Sequence, residues 1–417
     1  MHFRALVKMG FATFARKHKQ YDLIILCHDV DRGINLNGKA ASQILDLVAD
    51  QLEKKGFSCL RVASLGSSLT GEKAYKEPIS LRSIKRKIKL KLLIRSLIKG
   101  KKLRRKYKQR VVAKKLYEEL LFKTKAKVVL AISPEPILCQ IGYDKKIAII
   151  EACHGFGLPP NCPVTGAKAR SRISERYEPA FYISFDTMTH KTRSEGDLGK
   201  KTKSLIAQRP LINEELFRQS YGFKEIVQCY GKRGLITMQW GYDGEATFLR
   251  GIIPDGVMHP ALLEIIQKRK DITWLIRFHP MQTRRKEKWR KIATFIKDNL
   301  YSKGLTVIDV SFLPLDFVLS QADFHITMMS GAVYESASSG VRSIALCPTI
   351  HPGGINEEFF TDLEKEGMLQ KCKLDASLIG LKIDELSSPT GDNRLSASDA
   401  PEMVEVVSKI LLGRDDG

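Results

Sequence analysis

The sequence predicts an α/β protein made of two doubly wound domains, each with a parallel sheet, that face each other across a cleft. Its 417 residues suit two domains of ordinary size. Short apolar runs of the buried-strand type alternate with segments of helical periodicity, as in parallel sheets covered by helices. One series of alternating strands and helices precedes residues 225–233 and a second series follows them, so we take these residues as the domain boundary. A composition of 43% hydrophobic and 28% charged residues excludes a disordered or fibrous chain.

The first domain is predicted to span residues 1–230. Its helix 39–55 has apolar residues at helical spacing and ends at Gly56, a favourable C-terminal residue. The predicted strands, each a short apolar run, are 21–27, 57–62, 127–132 and 146–150.

The second domain is predicted to span residues 231–385 and repeats the same alternation. Residues 386–417 are predicted to be a polar linker followed by a short terminal helix at 402–412. The predicted strands of the second domain are 234–239, 272–277, 305–309, 324–327 and 341–346, and its main helices are 259–269, 285–299, 313–322 and 331–339.

The positive charge is concentrated in one segment. The formal net charge is +23, and residues 82–127 contain 20 Lys and Arg against only Glu118 and Glu119, which leaves about +5 for all other residues. Lysines interleave with apolar residues without a proline, so we expect a basic helical insertion at about 82–125, broken near Gly100. It would contact an anionic membrane or a polyanionic substrate, or be a solvated helical insertion with no partner.

Other compositional features narrow the function classes. The basic segment has few aromatic residues, Tyr107 and Tyr117 among them, which argues against nucleic acid because stacking platforms are scarce. No apolar run approaches the ~20 residues needed to span a bilayer. The first twenty residues form a second basic stretch, either an in-plane membrane helix or a helix packed on the first domain. Eight cysteines without C-x-x-C spacing favour a reducing compartment and exclude a zinc ribbon.

Polar motifs in the second domain follow predicted strands, where ligands of open α/β sheets bind. Ser330 and Gly331 open a helix, whose free N–H groups suit a phosphate, and Glu335 lies one turn further, placed to hold ribose hydroxyls. Arg277 and His279, with the latter followed by Pro280, could stabilise a diphosphate leaving group. Alternatively, these are an ordinary capped turn and a surface histidine.

The first domain offers three candidates for the general base. His154 follows a predicted strand in a glycine-flanked turn, and a histidine has the pKa for deprotonating an alcohol. Asp29 and Asp31 compete for this role, and they could equally bind an acceptor sugar or cap a helix. Their spacing does not suit metal ligands, so we expect neither a metal nor another cofactor.

The motifs H-G-x-x-x-P at 154–159, R-x-H-P at 277–280 and S-G-x-x-x-E at 330–335 together resemble the GT-B glycosyltransferase clan. The branch they resemble most holds CDP-glycerol glycerophosphotransferases, Kdo transferases and bacterial sialyltransferases of capsule and teichoic-acid synthesis. The C-terminal stretch 314–346 also resembles UDP-sugar 2-epimerases. The resemblance implies two Rossmann-like domains in a GT-B-like arrangement.

Carried onto this sequence, the resemblance makes His154 the catalytic histidine. Arg277, His279 and Pro280 become the donor-phosphate motif; Ser330 and Gly331 the phosphate loop; and Glu335 the ribose-binding acid. The loop from Trp240 through Gly241 to Gly244 would lie near the donor phosphates.

The function implied by the resemblance is metal-independent transfer of a sugar from a CMP-, CDP- or UDP-linked donor to a cell-envelope glycan or lipid-linked acceptor. The enzyme would be cytoplasmic and bound to the inner face of an anionic membrane. Three alternatives remain: a polyol-phosphate transferase with the same sites, a nonhydrolysing epimerase, and a non-catalytic scaffold that binds membrane or RNA.

Overall fold

A computed structural model of the chain describes residues 20–82, 84–86, 88–90, 105–153, 177–195, 202–242, 244, 246–386 and 400–413. The basic stretch 1–19, the candidate base His154 and the residues of the predicted linker from 387 to 399 lie outside these ranges.

The predicted fold class is confirmed: two parallel sheets, each with helices packed against it, form two Rossmann-like domains. The first sheet has the order β5-β4-β1-β6-β7-β8-β9 and the second the order β12-β11-β10-β13-β14-β15, with every described pairing parallel. The strands of the first sheet are β1 (Leu23–Cys27), β4 (Cys59–Ala63), β5 (Ile79–Ser80), β6 (Val128–Ile132), β7 (Ala148–Ala152), β8 (Phe181–Ser184) and β9 (Lys203–Ile206). Those of the second are β10 (Lys232–Thr237), β11 (Ile272–Arg277), β12 (Val307–Asp309), β13 (Phe324–Thr327), β14 (Ser343–Ala345) and β15 (Leu369–Lys371).

Helices connect these strands and cover the sheets. In chain order they are α1 (Leu45–Lys54), α2 (Arg105–Thr124), α3 (Pro136–Lys145), α4 (Thr187–Glu195), α5 (Phe223–Val227), α6 (Pro260–Lys268), α7 (Pro280–Arg284), α8 (Lys286–Asn299), α9 (Leu315–Ser320), α10 (Ala332–Ser338), α11 (Thr361–Lys365), α12 (Ala376–Leu386) and α13 (Met403–Leu411).

A β-hairpin joins the two domains. Strands β2 (Ile34–Leu36) and β3 (Lys39–Ala41) pair antiparallel, and Asn37 and Gly38 make the turn with φ of 48° and 75°. Asn-Gly is a strong hairpin signal because both turn positions need positive φ, yet the sequence analysis placed a loop and a helix start here. The helix begins later, at Leu45.

Apolar side chains from both domains form one core around this hairpin. Ile34 and Leu36 of the first domain pack in the same buried cluster as Leu235, Leu275 and Val310 of the second. Backbone hydrogen bonds fasten the hairpin on the second domain's side, from the Asn35 N–H to the Phe312 carbonyl at 2.9 Å and from the Asn37 N–H to the Leu216 carbonyl at 2.8 Å. The two domains are therefore one continuous packed body at this junction.

The chain crosses between the domains twice. The first sheet ends with β9 at Ile206 and the second begins with β10 at Lys232. Helix α13 then returns to the first domain, where Met403 and Val407 lie in the same buried cluster as Val48 and Leu52 of α1.

The basic segment is anchored to the first domain at both ends. The described residues of 82–90 are helical, with Ile84 and Ile88 in the core and Arg82, Arg86 and Lys89 exposed. In α2, one face buries residues in the same core, namely Val112, Ala113, Leu116, Tyr117, Leu120 and Leu121. Within the described residues, no helix combines the length and apolar character needed to cross a membrane.

Replacement of Leu36 by alanine is expected to lower the free energy of unfolding by about 2–5 kcal/mol. The side chain is fully buried where the two domains share a core, and its removal leaves a cavity. Urea unfolding measures the change, with Leu211→Ala as the control because Leu211 is 80% exposed. Equal free energies of unfolding for L36A and L211A would contradict a contribution of the shared core to the stability of the fold.

Candidate active site

A cavity of about 310 Å³ lies between the two domains, at the carboxyl ends of their parallel strands. The first domain contributes the turn after β1 and the residues before α1. The second contributes the residues that follow β10, β11 and β13. The residues of both domains that line the cavity include Val30, Asp31, Gly33, Ser42, Gln43, Arg209, Thr237, Gln239, Trp240, Arg277, His279, Pro280, Ser330, Gly331 and Glu335. Most of the sequence-predicted site residues thus meet in one place, while their individual roles remain predictions.

Three contacts between the domains border this cavity. A Cβ atom on Gly33 would come within 3.1 Å of Pro280 Cγ, so the turn after β1 lies close against α7 and a side chain there would crowd the proline. The Gln43 amide donates to an Asp316 carboxylate oxygen at 3.1 Å. Arg209, from the segment after β9, pairs with Glu335 of α10. The structure therefore shows the cleft with its two walls in contact.

His279 is held as a neutral side chain at the start of α7. The ring Nδ1 accepts a hydrogen bond from the Met281 backbone N–H at 3.1 Å. The backbone N–H of His279 donates to the Gln282 side-chain oxygen at 2.9 Å. An accepting Nδ1 leaves the ring proton on Nε2, so the ring offers a neutral N–H donor. The exposed ring of Trp240 lies 6.1 Å from the His279 ring, between centroids.

Arg277 is hydrogen-bonded to backbone carbonyl groups of its own domain. Its guanidinium donates to the carbonyl oxygens of Val310, at 3.2 Å, and of Leu313. Burial lowers the pKa of Arg277 to about 10, and the nearby carboxylate of Glu335 partly offsets that effect. The residue lines the cavity, and its Nη1 is bonded to the loop after β12.

The start of α10 lies at the cavity wall and is capped by a serine. The Ser330 hydroxyl accepts a hydrogen bond from the Ala332 N–H at 3.2 Å, and Gly331 precedes the first helical residue. Glu335 lies on the first turn, with its side chain 16% exposed and engaged by Arg209. The predicted ribose-binding acid thus lies in the cavity and is paired with the guanidinium of Arg209.

The two aspartates after β1 differ in environment. Asp29 does not line the cavity; its carboxylate accepts from the Ser68 hydroxyl at 2.7 Å and from the N–H groups of Ser68 and Leu69. Partial burial opposes ionisation of Asp29, but these hydrogen bonds outweigh it and lower its pKa. Asp31 does line the cavity and accepts from the His28 N–H at 3.2 Å. Neither aspartate caps a helix after Asn37, because the hairpin occupies that position.

The loop after β10 adopts the left-handed backbone at both of its predicted glycines. Gly241 has φ of 103° and Gly244 has φ of 92°, and neither lines the cavity. The loop instead brings Gln239 and Trp240 to the cavity wall, where the Gln239 side chain accepts from the Met329 N–H at 2.9 Å.

A buried histidine supports the floor of the cavity. His325 of β13 is fully buried, and its two ring nitrogens contact the hydroxyls of Thr237, at 2.8 Å, and Ser343, at 2.9 Å. Burial lowers the pKa of His325 to about 3, so the ring is neutral at ordinary pH. Because Thr237 lines the cavity, this hydrogen-bonded chain fixes the wall from behind.

Solved structures with the same architecture show what this fold is similar to. The chain superposes on a UDP-GlcNAc 2-epimerase from Methanocaldococcus jannaschii in complex with UDP-GlcNAc and UDP, with a TM-score of 0.56 and 13% identity over 94% of this chain and 99% of that one. The spinosyn rhamnosyltransferase SpnG, complexed with thymidine diphosphate, gives 0.53 and 11% over 93% and 99%. A UDP-GlcNAc 2-epimerase from Neisseria meningitidis, bound to UDP-GlcNAc, gives 0.52 and 12% over 94% and 99%. The likeness confirms the two-domain GT-B-like fold.

Sequence comparison adds no closer relative. No protein-family model matches the chain, and no curated protein matches it at a significant level.

Sequence reasoning missed Arg209 and gave Gln43 no role. Arg209 lies outside any predicted strand end, and the crossing of the chain between the domains brings it to the cavity. Gln43 lies in what was taken for the first turns of a helix.

The stability of the protein should depend on pH through His325. In the unfolded chain its pKa is near 6.5, whereas in the fold it is about 3. Between these values the unfolded state holds one more proton, so the free energy of unfolding falls as the pH falls, by at most about 1.4 kcal/mol per pH unit. Above pH 6.5 this contribution is fully present.

His325→Gln keeps a donor and an acceptor but removes the titration. From pH 6.5 to 5.5, urea unfolding should show wild type losing about 1 kcal/mol more than H325Q. The carboxylates are the same in both proteins and cancel in the difference. Parallel stability profiles would contradict a neutral, buried His325.

Proposed function

We propose that the protein is a glycosyltransferase that moves a sugar from a nucleotide-activated donor to a cell-envelope glycan or glycolipid, by direct displacement without a metal. The observation that carries this proposal is the cavity between the domains. There the second domain presents His279, a helix start and Glu335, and the first domain presents Asp31. One wall is suited to a departing nucleotide and the other to an incoming hydroxyl.

On the donor side, the groups match the parts of a nucleotide. The N–H groups at the start of α10 favour a phosphate, and Glu335 has the carboxylate needed for ribose hydroxyls. His279 would donate from Nε2 to the phosphate oxygen that gains charge as the glycosidic bond breaks. Trp240 gives an apolar, partly exposed ring on the same wall for the base or the sugar.

On the acceptor side, a base must take the proton from the attacking hydroxyl. Asp31 is the candidate that lines the cavity, and β7, which leads to His154, ends in the same sheet at Ala152. The hydroxyl oxygen would then bond to the anomeric carbon as the nucleotide leaves with the electron pair of the broken bond.

The similar solved structures support a nucleotide-linked donor. The epimerases are described with UDP-GlcNAc or UDP and the rhamnosyltransferase with thymidine diphosphate. For this chain we propose a CMP-, CDP- or UDP-linked donor. A polyol-phosphate transferase is the second candidate, because the exposed basic residues of the first domain would suit a phosphate-rich polymer as acceptor.

The exposed basic residues of 82–90 also support a location at an anionic membrane. We call Arg82, Arg86 and Lys89 the basic face; they lie opposite the buried Ile84 and Ile88. Each such cation near an anionic bilayer contributes about 1 kcal/mol to binding. A basic face on a helix docked to the core would hold the enzyme at the inner surface of the membrane, where lipid-linked acceptors are found.

Nucleotide binding tests the proposed function directly. In a thermal-shift panel of CMP, CDP, UDP, GDP and ADP, one nucleotide at ~100 times its Kd should stabilise the protein by about 2.7 kcal/mol. His279→Ala should weaken that nucleotide about tenfold or more, since it removes the phosphate donor.

His259→Ala is a matched control for His279→Ala. His259 also precedes a proline, also starts a helix and also accepts through Nδ1, from the Ala261 N–H at 3.2 Å, but it does not line the cavity. Both variants lose the same kind of helix cap, so their stabilities should fall alike while only H279A loses nucleotide. A panel without any stabilising nucleotide would favour the non-catalytic scaffold.

Replacing the basic face with glutamine at all three positions should weaken binding to anionic vesicles about a hundredfold at low salt, from ~3 kcal/mol lost. Sedimentation with vesicles of phosphatidylglycerol and phosphatidylcholine measures this. A triple glutamine variant at Lys224, Lys268 and Lys303, exposed residues of the second domain's side, is the charge-matched control. Equal vesicle binding by both variants would contradict a membrane role for the basic face.

A further inference from the structure

The cavity holds an ion pair that joins the two walls. Arg209 belongs to the segment that leaves the first domain after β9, and Glu335 belongs to α10 of the second domain. Their side chains are 21% and 16% exposed, and both residues line the cavity. A pair this poorly exposed holds its partners more firmly than a surface pair does, because water competes less for the charges.

Glu335 lies between two arginines with different freedom. Arg277 donates through Nη1 to the carbonyl oxygens of Val310 and Leu313, which tie it to the loop after β12. Arg209 is instead directed at a carboxylate inside the cavity. Of these two arginines, Arg209 is the one that can exchange its partner for an incoming anion without opening the loop after β12.

We propose that Arg209 is the donor-phosphate-binding arginine and that it exchanges its ion pair with Glu335 for the donor phosphate. The inference rests on the proposed function and deepens it by assigning a specificity residue outside the second domain. When the nucleotide binds, Glu335 turns to the ribose hydroxyls and Arg209 takes the phosphate oxygens. One charge-assisted contact is exchanged for two, so the exchange favours a nucleotide over a nucleoside.

The exchange also couples donor binding to the junction of the domains. Arg209 lies next to Gln208, whose N–H donates to the Pro401 carbonyl at 2.9 Å, just before α13. Phosphate binding by Arg209 would therefore add a contact between the donor and the two chain segments that cross between the domains. Arg209 would help to align the donor with the acceptor wall.

The test compares a nucleotide with its nucleoside. Calorimetry with UDP and uridine, and with CMP, CDP and cytidine, is applied to wild type, Arg209→Gln, Arg209→Lys and Arg218→Gln. Arg218 is the matched control, an exposed arginine on the same segment that pairs with Glu214. Thermal unfolding of the unliganded variants reports whether each one folds.

For R209Q we expect about a tenfold to a hundredfold loss of affinity for the nucleotide that wild type binds, the value of a charge-assisted hydrogen bond. Its affinity for the matching nucleoside should be unchanged or higher, because Glu335 is no longer engaged. R209K retains the charge and should recover part of the nucleotide affinity, and R218Q should match wild type throughout.

The contrary results are distinct. Equal losses of nucleotide and nucleoside in R209Q would assign Arg209 a structural role and overturn the inference, as would an unchanged affinity for the nucleotide. Both leave the proposed function standing, since wild type still binds. A wild type that binds none of these nucleotides overturns the proposed function and this inference with it.

Discussion

The candidate site depends on the apolar core that the two domains share. The hairpin β2–β3 inserts Ile34 and Leu36 among buried side chains of the second domain, and the turn from Asp29 to Gly33 that leads into it forms one wall of the cavity. Burial of these side chains is worth roughly 1.5–3 kcal/mol each, and it acts between domains rather than within one. The carboxyl ends of the two sheets therefore face each other at a set distance, and the polar groups that converge there are positioned by packing that involves none of them.

The polar and charged groups of the cavity are held by partners within the protein. His279 is neutral and directed by a backbone N–H, Arg277 is bound to carbonyl groups, and Glu335 is held by Arg209. Under the proposed function, a donor held as the His279 ring is held does not have to reorganise when charge develops on the leaving group, which is how enzyme electrostatics lowers a barrier. The comparison with His259 shows that the local structure alone does not bring a histidine to the cavity. Both histidines accept from a backbone N–H two residues on, and only the position of one at the end of β11 brings it to the cavity.

The basic face is connected to the same wall. Lys85 donates to the Leu65 carbonyl at 2.8 Å, and the loop that continues from Leu65 holds the Asp29 carboxylate through Ser68 and Leu69. The helix that carries the basic face and the turn after β1 are thus linked through one loop, although Asp29 itself lies off the cavity.

The sequence by itself determined the fold class, since short apolar runs at the positions of β1, β6, β10, β11 and β13 must be buried, and parallel sheets bury both faces. It also placed His279 and Ser330 after strand ends and Glu335 one helical turn beyond Ser330, because such motifs have local signatures. Edge strands such as β9 and β15, with few apolar residues, carried too weak a pattern to be predicted. Only the tertiary structure decided that Arg277 binds backbone carbonyls, that Asp29 lies off the cavity and that Arg209 lies in it. Those outcomes depend on contacts between residues far apart in the chain, for which neither periodicity nor spacing carries a signal.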